Sequence, residues 1–270
     1  LTEIIRARVG GTLRELVYVT GGSEAVESCL KIALQYQTAI GQKSRRRFIS
    51  RERSWHGNTL GALGLSGFAE RTAAYEGAFI PSIKLSPANA YRPIAGATAE
   101  TAGAAAAAEL EAAILAHGPE TIAGFVFEPV VGAAGGCVPA PEGYAQAVRE
   151  ICSRYGVLMI ADEVMSGAGR CGTWRALAHD GVEGGYEEVL VPGLDRGGEG
   201  VELAGGEAGW IGEEGGEGLY HAHMVADAGA QPLKPIGAQG KPQLQRAEVA
   251  AQGYGPFVKI HHILFARGFQ

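Results

Sequence analysis

Leu158-Met159-Ile160-Ala161-Asp162-Glu163-Val164 runs four apolar residues into two adjacent carboxylates. So short a run reads as a buried strand, Leu158–Ala161, that ends at Asp162. Glu142–Tyr155 ahead of it reads as a helix, and Phe125–Glu128 as another apolar strand ending in a carboxylate. Further upstream, Arg47–Ser50 and the β-branched run Glu15–Thr20 read as strands, with helical patterns at Ser23–Thr38 and Ala104–His117. Strands alternating with helices of this length predict an α/β fold with a doubly wound, mostly parallel sheet. Ligands in such sheets sit beyond the carboxyl ends of the strands, where Asp162 and Glu128 fall. No internal repeat is visible.

The 270 residues suit one large domain or two modest ones. Hydrophobic content of 46%, charged content of 19% and a mean hydropathy of +0.04 describe a globular chain and not a disordered one. No apolar run reaches the roughly 20 residues needed to cross a bilayer, which argues against a membrane partner. A net charge of −6 argues against nucleic-acid binding, since phosphate backbones want a basic face. Cys29, Cys137, Cys152 and Cys171 form no C-x-x-C pair, and reduced thiols in a cytoplasmic protein are expected. His221/His223 and His261-His262 lack a carboxylate or Cys at ligand spacing, so no metal site is expected. Lys43, Arg45–Arg47, Arg51 and Arg53 read as a solvated turn and strand edge.

Four segments are candidates for chemistry. Thr20-Gly21-Gly22-Ser23 joins a strand to a helix, so the Gly22 and Ser23 amides face outward at a helix N-terminus, which suits a phosphate. The alternative is a glycine turn with Ser23 as N-cap. Asp162 at its strand end needs a cationic partner or hydrogen bonds, from a ligand's protonated ring nitrogen, from Arg170 or from the following turn. In Ser54-Trp55-His56-Gly57-Asn58-Thr59, Trp55 is suited to stack on a flat ligand with His56 bonding nearby, or the pair packs in a core. Glu128 either faces the same crevice or pairs with an arginine.

Taken in order, these segments resemble the class III aminotransferases, enzymes of fold type I that depend on pyridoxal 5'-phosphate. The resemblance is clear over about residues 1–183 and most specific from Phe125 to Trp174, FVFEPVVGAAGGCVPAPEGYAQAVREICSRYGVLMIADEVMSGAGRCGTW. GGSEAVESCLKIALQY and SWHGNTLGALGLSG stand upstream in the expected order. The resemblance implies that Gly22 and Ser23 cradle the cofactor phosphate and that Trp55 stacks on the pyridine ring, with His56 beside it. Asp162 would pair with the pyridinium nitrogen, and Val164 would pack on the opposite ring face. Glu128 matches a glutamate near the active site, and Met165 stands where many relatives have Gln. The implied reaction moves an amino group from an amine or amino acid to an oxo acid. A homodimer is implied, because relatives build their sites at a dimer interface. An aminomutase is the alternative within the family.

One element of the pattern is missing. Relatives carry a Schiff-base lysine about 29 residues after the Asp. That spacing falls at Val191, while a later echo, Ala226-Asp227-Ala228-Gly229 running on to Pro235-Ile236-Gly237-Ala238, puts Asp227 in the lysine's place. No lysine stands between Lys84 and Lys234. Residues 181–270 carry 6 Lys+Arg against 12 Asp+Glu, and 14 of the 40 residues from Gly181 to Tyr220 are glycine, poor material for regular structure. The chain thus divides into a cofactor-binding portion of the large domain (1–183), a Gly-rich unmatched stretch, foreign to the fold or disordered (184–223), and a faintly matched continuation (224–270). The resemblance also implies further residues ahead of the phosphate loop and a small C-terminal domain, so the chain reads as a fragment. A foreign stretch, a cofactor-binding or dimer-forming pseudoenzyme, and an unexpected lysine such as Lys234 compete to explain the gap. The first is preferred, because similarity is lost where glycine enrichment begins.

Overall fold

The computed structural model describes residues 2–9, 15–182, 188–194 and 221–226. Its helices are α1 (Thr2–Val9), α2 (Gly22–Ala39), α3 (Leu60–Leu65), α4 (Ala69–Thr72), α5 (Ala102–His117) and α6 (Tyr144–Tyr155). Its strands are β1 (Glu15–Val19), β2 (Arg47–Arg51), β3 (Ile83–Leu85), β4 (Ile122–Phe127), β5 (Val130–Val131), β6 (Val138–Pro139), β7 (Leu158–Glu163), β8 (Glu188–Leu194) and β9 (His221–Ala226). Seven strands form one sheet in the order β1-β9-β8-β7-β4-β2-β3, and β5 and β6 make a separate hairpin. The pairs β7–β8, β7–β4, β4–β2 and β2–β3 are parallel, whereas β9 runs antiparallel to both neighbours.

Every residue of β4 and β7 is buried, as expected of central strands covered on both faces. The alternation of side chains then divides the core in two. On one face Met159 and Ala161 join Phe125 and Phe127 under α5 and α6, which contribute Leu110, Ile114 and Val148. On the other, Leu158 and Ile160 join Val126 against Ala25, Val26 and Cys29 of α2. Each fully buried large side chain contributes about 1.5–3 kcal/mol, so a polar residue at either strand's centre would be costly.

The turn into β7 sets the register that matters. Gly156 ends α6 with φ 64° and ψ 30°, left-handed backbone that suits glycine, and its N–H and that of Val157 return to carbonyls of the last turn. The chain thus enters β7 at once, and Asp162 arrives at the strand's carboxyl end.

Two expectations are corrected. Arg51 is buried, donating to the Tyr144 hydroxyl at 2.7 Å and the Ala106 carbonyl at 2.7 Å, and the half-buried Arg45 donates to carbonyls of Pro119, Ile122 and Tyr155, so these two leave the solvated edge, whereas Lys43, Arg46, Arg47 and Arg53 are exposed as expected. Within the Gly-rich span, Glu188–Leu194 forms a strand and a second, His221–Ala226, begins at its end. Asp227, His261-His262 and most of 184–270 lie outside the described residues. Among the described residues no helix is long and apolar enough to cross a membrane.

Candidate active site

β7 delivers two carboxylates to opposite uses. Glu163 accepts the Ala176 N–H at 2.7 Å and the Leu177 N–H at 3.0 Å, capping the 3-10 turn Ala176–Asp180. Asp162, one residue earlier and so on the other face, bonds His56 Nδ1 at 2.9 Å through Oδ2 and accepts the Val164 N–H at 3.1 Å through Oδ1. His56 is 2% exposed and Asp162 5%, so neither has much water to pair with. With the imidazole N–H directed at the carboxylate, Nε2 is left as a buried acceptor, and among the described residues it has no partner. Arg170 is not the partner of Asp162; His56 is.

The loop carrying Trp55 and His56 is fixed from three sides. The His56 N–H donates to Ser66 Oγ at 2.9 Å. The Trp55 N–H donates to Glu128 Oε1 at 2.9 Å, while the Gly132 N–H donates to Oε2 at 2.9 Å. Glu128 is therefore not paired with an arginine; it ties the Trp55 loop to the β5–β6 hairpin. Burial pushes its carboxyl above the usual range, with Asp162 acting in the same direction and His56 and the two amides opposing. From α2, Ser23 Oγ accepts the Asn58 N–H at 2.9 Å, and Glu27 Oε1 accepts the Gly61 N–H at 2.8 Å, at the start of α3.

The N-terminus of α2 has Gly21 as N-cap, with no side chain capping it. A Cβ placed on Gly21 would meet nothing within 4 Å, so the helix start opens onto free space, whereas one on Gly22 would lie 3.1 Å from the Val164 methyls. The helix start and Val164 are thus in contact, and glycine permits it. Ser23 accepts only through its oxygen there and retains a hydroxyl proton to donate. Met165 is 55% exposed, and its Cγ would stand 2.9 Å from a Cβ on Gly132, the residue whose N–H Glu128 accepts.

Trp55 is half-buried, with Phe68 edge-on at 6.2 Å and the Arg71 guanidinium 4.7 Å from its ring centroid. Sequence reading missed Ser66, Gly132, Glu27, Phe68 and Arg71. Their contacts are made across turns and strands, and no local spacing marks them.

These residues suit pyridoxal 5'-phosphate on three observations: the buried, unpartnered Nε2 behind Asp162, the uncapped α2 N-terminus facing open space, and the Gly22–Val164 contact. They lie at the carboxyl ends of a doubly wound sheet, where ligands of this architecture sit. The chain belongs to the class III aminotransferases: the family model described as Aminotransferase class-III matches residues 1–184. An uncharacterized aminotransferase of Schizosaccharomyces pombe is 46% identical over 167 residues, 61% of this chain and 36% of that protein. An aminotransferase of Gibberella zeae is 42% identical over 188 residues, covering 67% and 37%. Among solved structures, the omega transaminase of Pseudomonas jessenii in complex with PMP aligns with a TM-score of 0.66 at 25% identity, over 84% of this chain and 47% of that one. The chain therefore spans under half the length of these relatives.

Proposed function

We propose that the site at Asp162 binds pyridoxal 5'-phosphate for transfer of an amino group from an amine or amino acid to an oxo acid, and that this chain as written binds the cofactor without completing turnover. The buried Asp162–His56 pair at 2.9 Å is the observation that carries the binding half of this reading. When bound, the cofactor supplies a protonated pyridine ring that accepts the electron pair released as the substrate's α-proton leaves. Asp162 holds the proton on the ring nitrogen, and His56 keeps the carboxylate oriented. Trp55 and Val164 enclose the ring, and the Gly22 and Ser23 amides with the Ser23 hydroxyl hold the phosphate at the positive end of α2. Glu128 fixes the Trp55 loop and Met165 flanks the ring's edge.

The turnover half rests on lysine. The α-proton of the substrate must be taken up and returned by a base, a task for a lysine amine in this family. Val191 lies opposite Asp162 on the neighbouring strand β8, so the position 29 residues on carries a side chain that cannot accept a proton. Lys84, the lysine nearest in sequence to this site's strands, sits on β3, three strands from β7 and so roughly 14 Å across the sheet. Its Nζ is tied to Ser50 Oγ, Ser82 Oγ and the Gly64 carbonyl at 2.8–2.9 Å, directed away from such a role. The same reading takes 1–183 as the cofactor-binding portion, 184–223 as an insertion foreign to the family pattern and 224–270 as its continuation. It places the protein in the cytoplasm as a homodimer.

Titration of the full chain with pyridoxal 5'-phosphate, followed by tryptophan fluorescence, tests the site. Saturable quenching that weakens at least tenfold in Asp162→Asn supports it. Wild-type affinity in Asp162→Asn, or no saturable quenching, overturns it.

A further inference from the structure

Away from Asp162, β2, β3 and α3 enclose a second cluster of reactive side chains. Ser50 on β2 lies directly across from Lys84 on β3, and Ser82 stands two residues before Lys84, where an extended chain returns to the same face. The three side chains meet: Lys84 Nζ is 2.9 Å from Ser50 Oγ and 2.8 Å from Ser82 Oγ, and the two hydroxyl oxygens are 2.9 Å apart. α3 completes the cluster with the Gly64 carbonyl, 2.9 Å from Nζ and 2.8 Å from Ser82 Oγ. Glycine allows this approach, because a Cβ on Gly64 would collide with the Ile80 carbonyl oxygen. The cofactor site uses none of these groups.

All three partners of Nζ are neutral oxygens, and no carboxylate is bonded to it among the described residues. Burial brings the amine down from 10.5 to about 8, and Glu52 is the charged group that opposes the shift. α3 brings no titratable side chain, and Arg51, next along β2, is engaged by Glu109 and Tyr144. As an ammonium, Nζ donates to all three oxygens. Once it loses a proton it has two N–H groups and a lone pair for the same three partners, so a hydroxyl donates to the lone pair. Ser50 is fully buried, whereas Ser82 is half-buried and follows exposed Pro81 and Ile80, the latter 67% exposed. Ser82 is thus the hydroxyl that a molecule arriving from solvent meets.

We propose that Ser82 is a nucleophile toward activated acyl esters, with Lys84 as its general base and Ser50 positioning the two. The Ser82 hydroxyl proton passes to Nζ as Oγ bonds to the acyl carbon, and the ester's aryloxide or alkoxide leaves with its electron pair. Serine–lysine pairs perform acyl transfer on unrelated folds. The step needs no cofactor, and its product is an acyl group on Ser82.

The full chain mixed with p-nitrophenyl acetate, without pyridoxal 5'-phosphate, provides the test. Nitrophenolate release gives the rate, and peptide mass spectrometry locates the acetyl group. Acetylation is expected on Ser82, at a rate that climbs through about pH 8 and levels off above it. Ser82→Ala is expected to abolish that label, and Lys84→Met to slow its formation about 100-fold, a usual worth of a general base. Circular dichroism identifies a misfolded Lys84→Met, in which case Ser82→Ala and the wild-type pH profile decide. Acetylation of Lys84 in place of Ser82, equal labelling of the exposed Ser153, a rate that does not change through about pH 8, or an undiminished rate in a folded Lys84→Met overturns the proposal.

Discussion

Glu128 and Lys84 are both buried titratable groups, and they bias stability with pH in opposite senses. Burial raises the Glu128 carboxyl, so between its unfolded value near 4.5 and its higher folded value the native state holds the extra proton. Its stabilising contribution is present below that window and lost as pH rises through it. Relative to Glu128→Gln, the wild-type chain is expected to gain unfolding free energy on acidification from pH 7 to 4.5, read by urea melts. Lys84 is pushed down to about 8 from 10.5, first by burial, with Glu52 opposing. Here the unfolded chain holds the extra proton between pH 8 and 10.5, so stability relative to Lys84→Met is expected to rise with pH across that window. A flat difference between the melts of either pair would show that the group is solvated in the fold. At the site itself, Asp162→Asn replaces the carboxylate bonded to His56, and under the proposed reading cofactor affinity is expected to fall.

At the scale of elements, α2 and the 54–62 loop act as one unit. Gly57 has φ 138°, left-handed territory, and a Cβ there would lie 2.8 Å from Ser23 Cα, a backbone atom that cannot yield. Gly57→Ala is therefore expected to destabilise the fold by about 1–3 kcal/mol and to weaken cofactor binding, because Trp55, His56 and the α2 N-terminus shift together. A stable Gly57→Ala with unchanged affinity would show that they are independent. Much of this architecture is legible in sequence: β7 as four apolar residues before Asp162, α2 after its glycine pair, and α6 ahead of β7 all stand within a few residues of expectation. β3 is three residues long and carries no period, and α3, LGALGL, is buried at every position from Gly61 to Leu65, so neither shows an amphipathic pattern. The Asp162–His56 bond spans 106 residues and leaves no local trace. What spacing could not supply was the ligand's identity, which came from resemblance.

For the whole molecule, the family pattern and the fold agree through Asp162 and its neighbours, and the departure comes one strand later. β8 lies beside β7 in parallel with Val191 opposite Asp162, and neither β8 nor β9 carries a lysine. A chain of this kind is expected to hold the cofactor through its phosphate, ring and nitrogen contacts, reversibly and without a covalent bond. Borohydride reduction of the full chain mixed with pyridoxal 5'-phosphate, followed by peptide mass spectrometry, tests this most directly. The account expects no stoichiometric adduct at any single lysine. One stoichiometric adduct on one lysine, Lys84 and Lys234 included, would contradict it and identify the residue that restores catalysis.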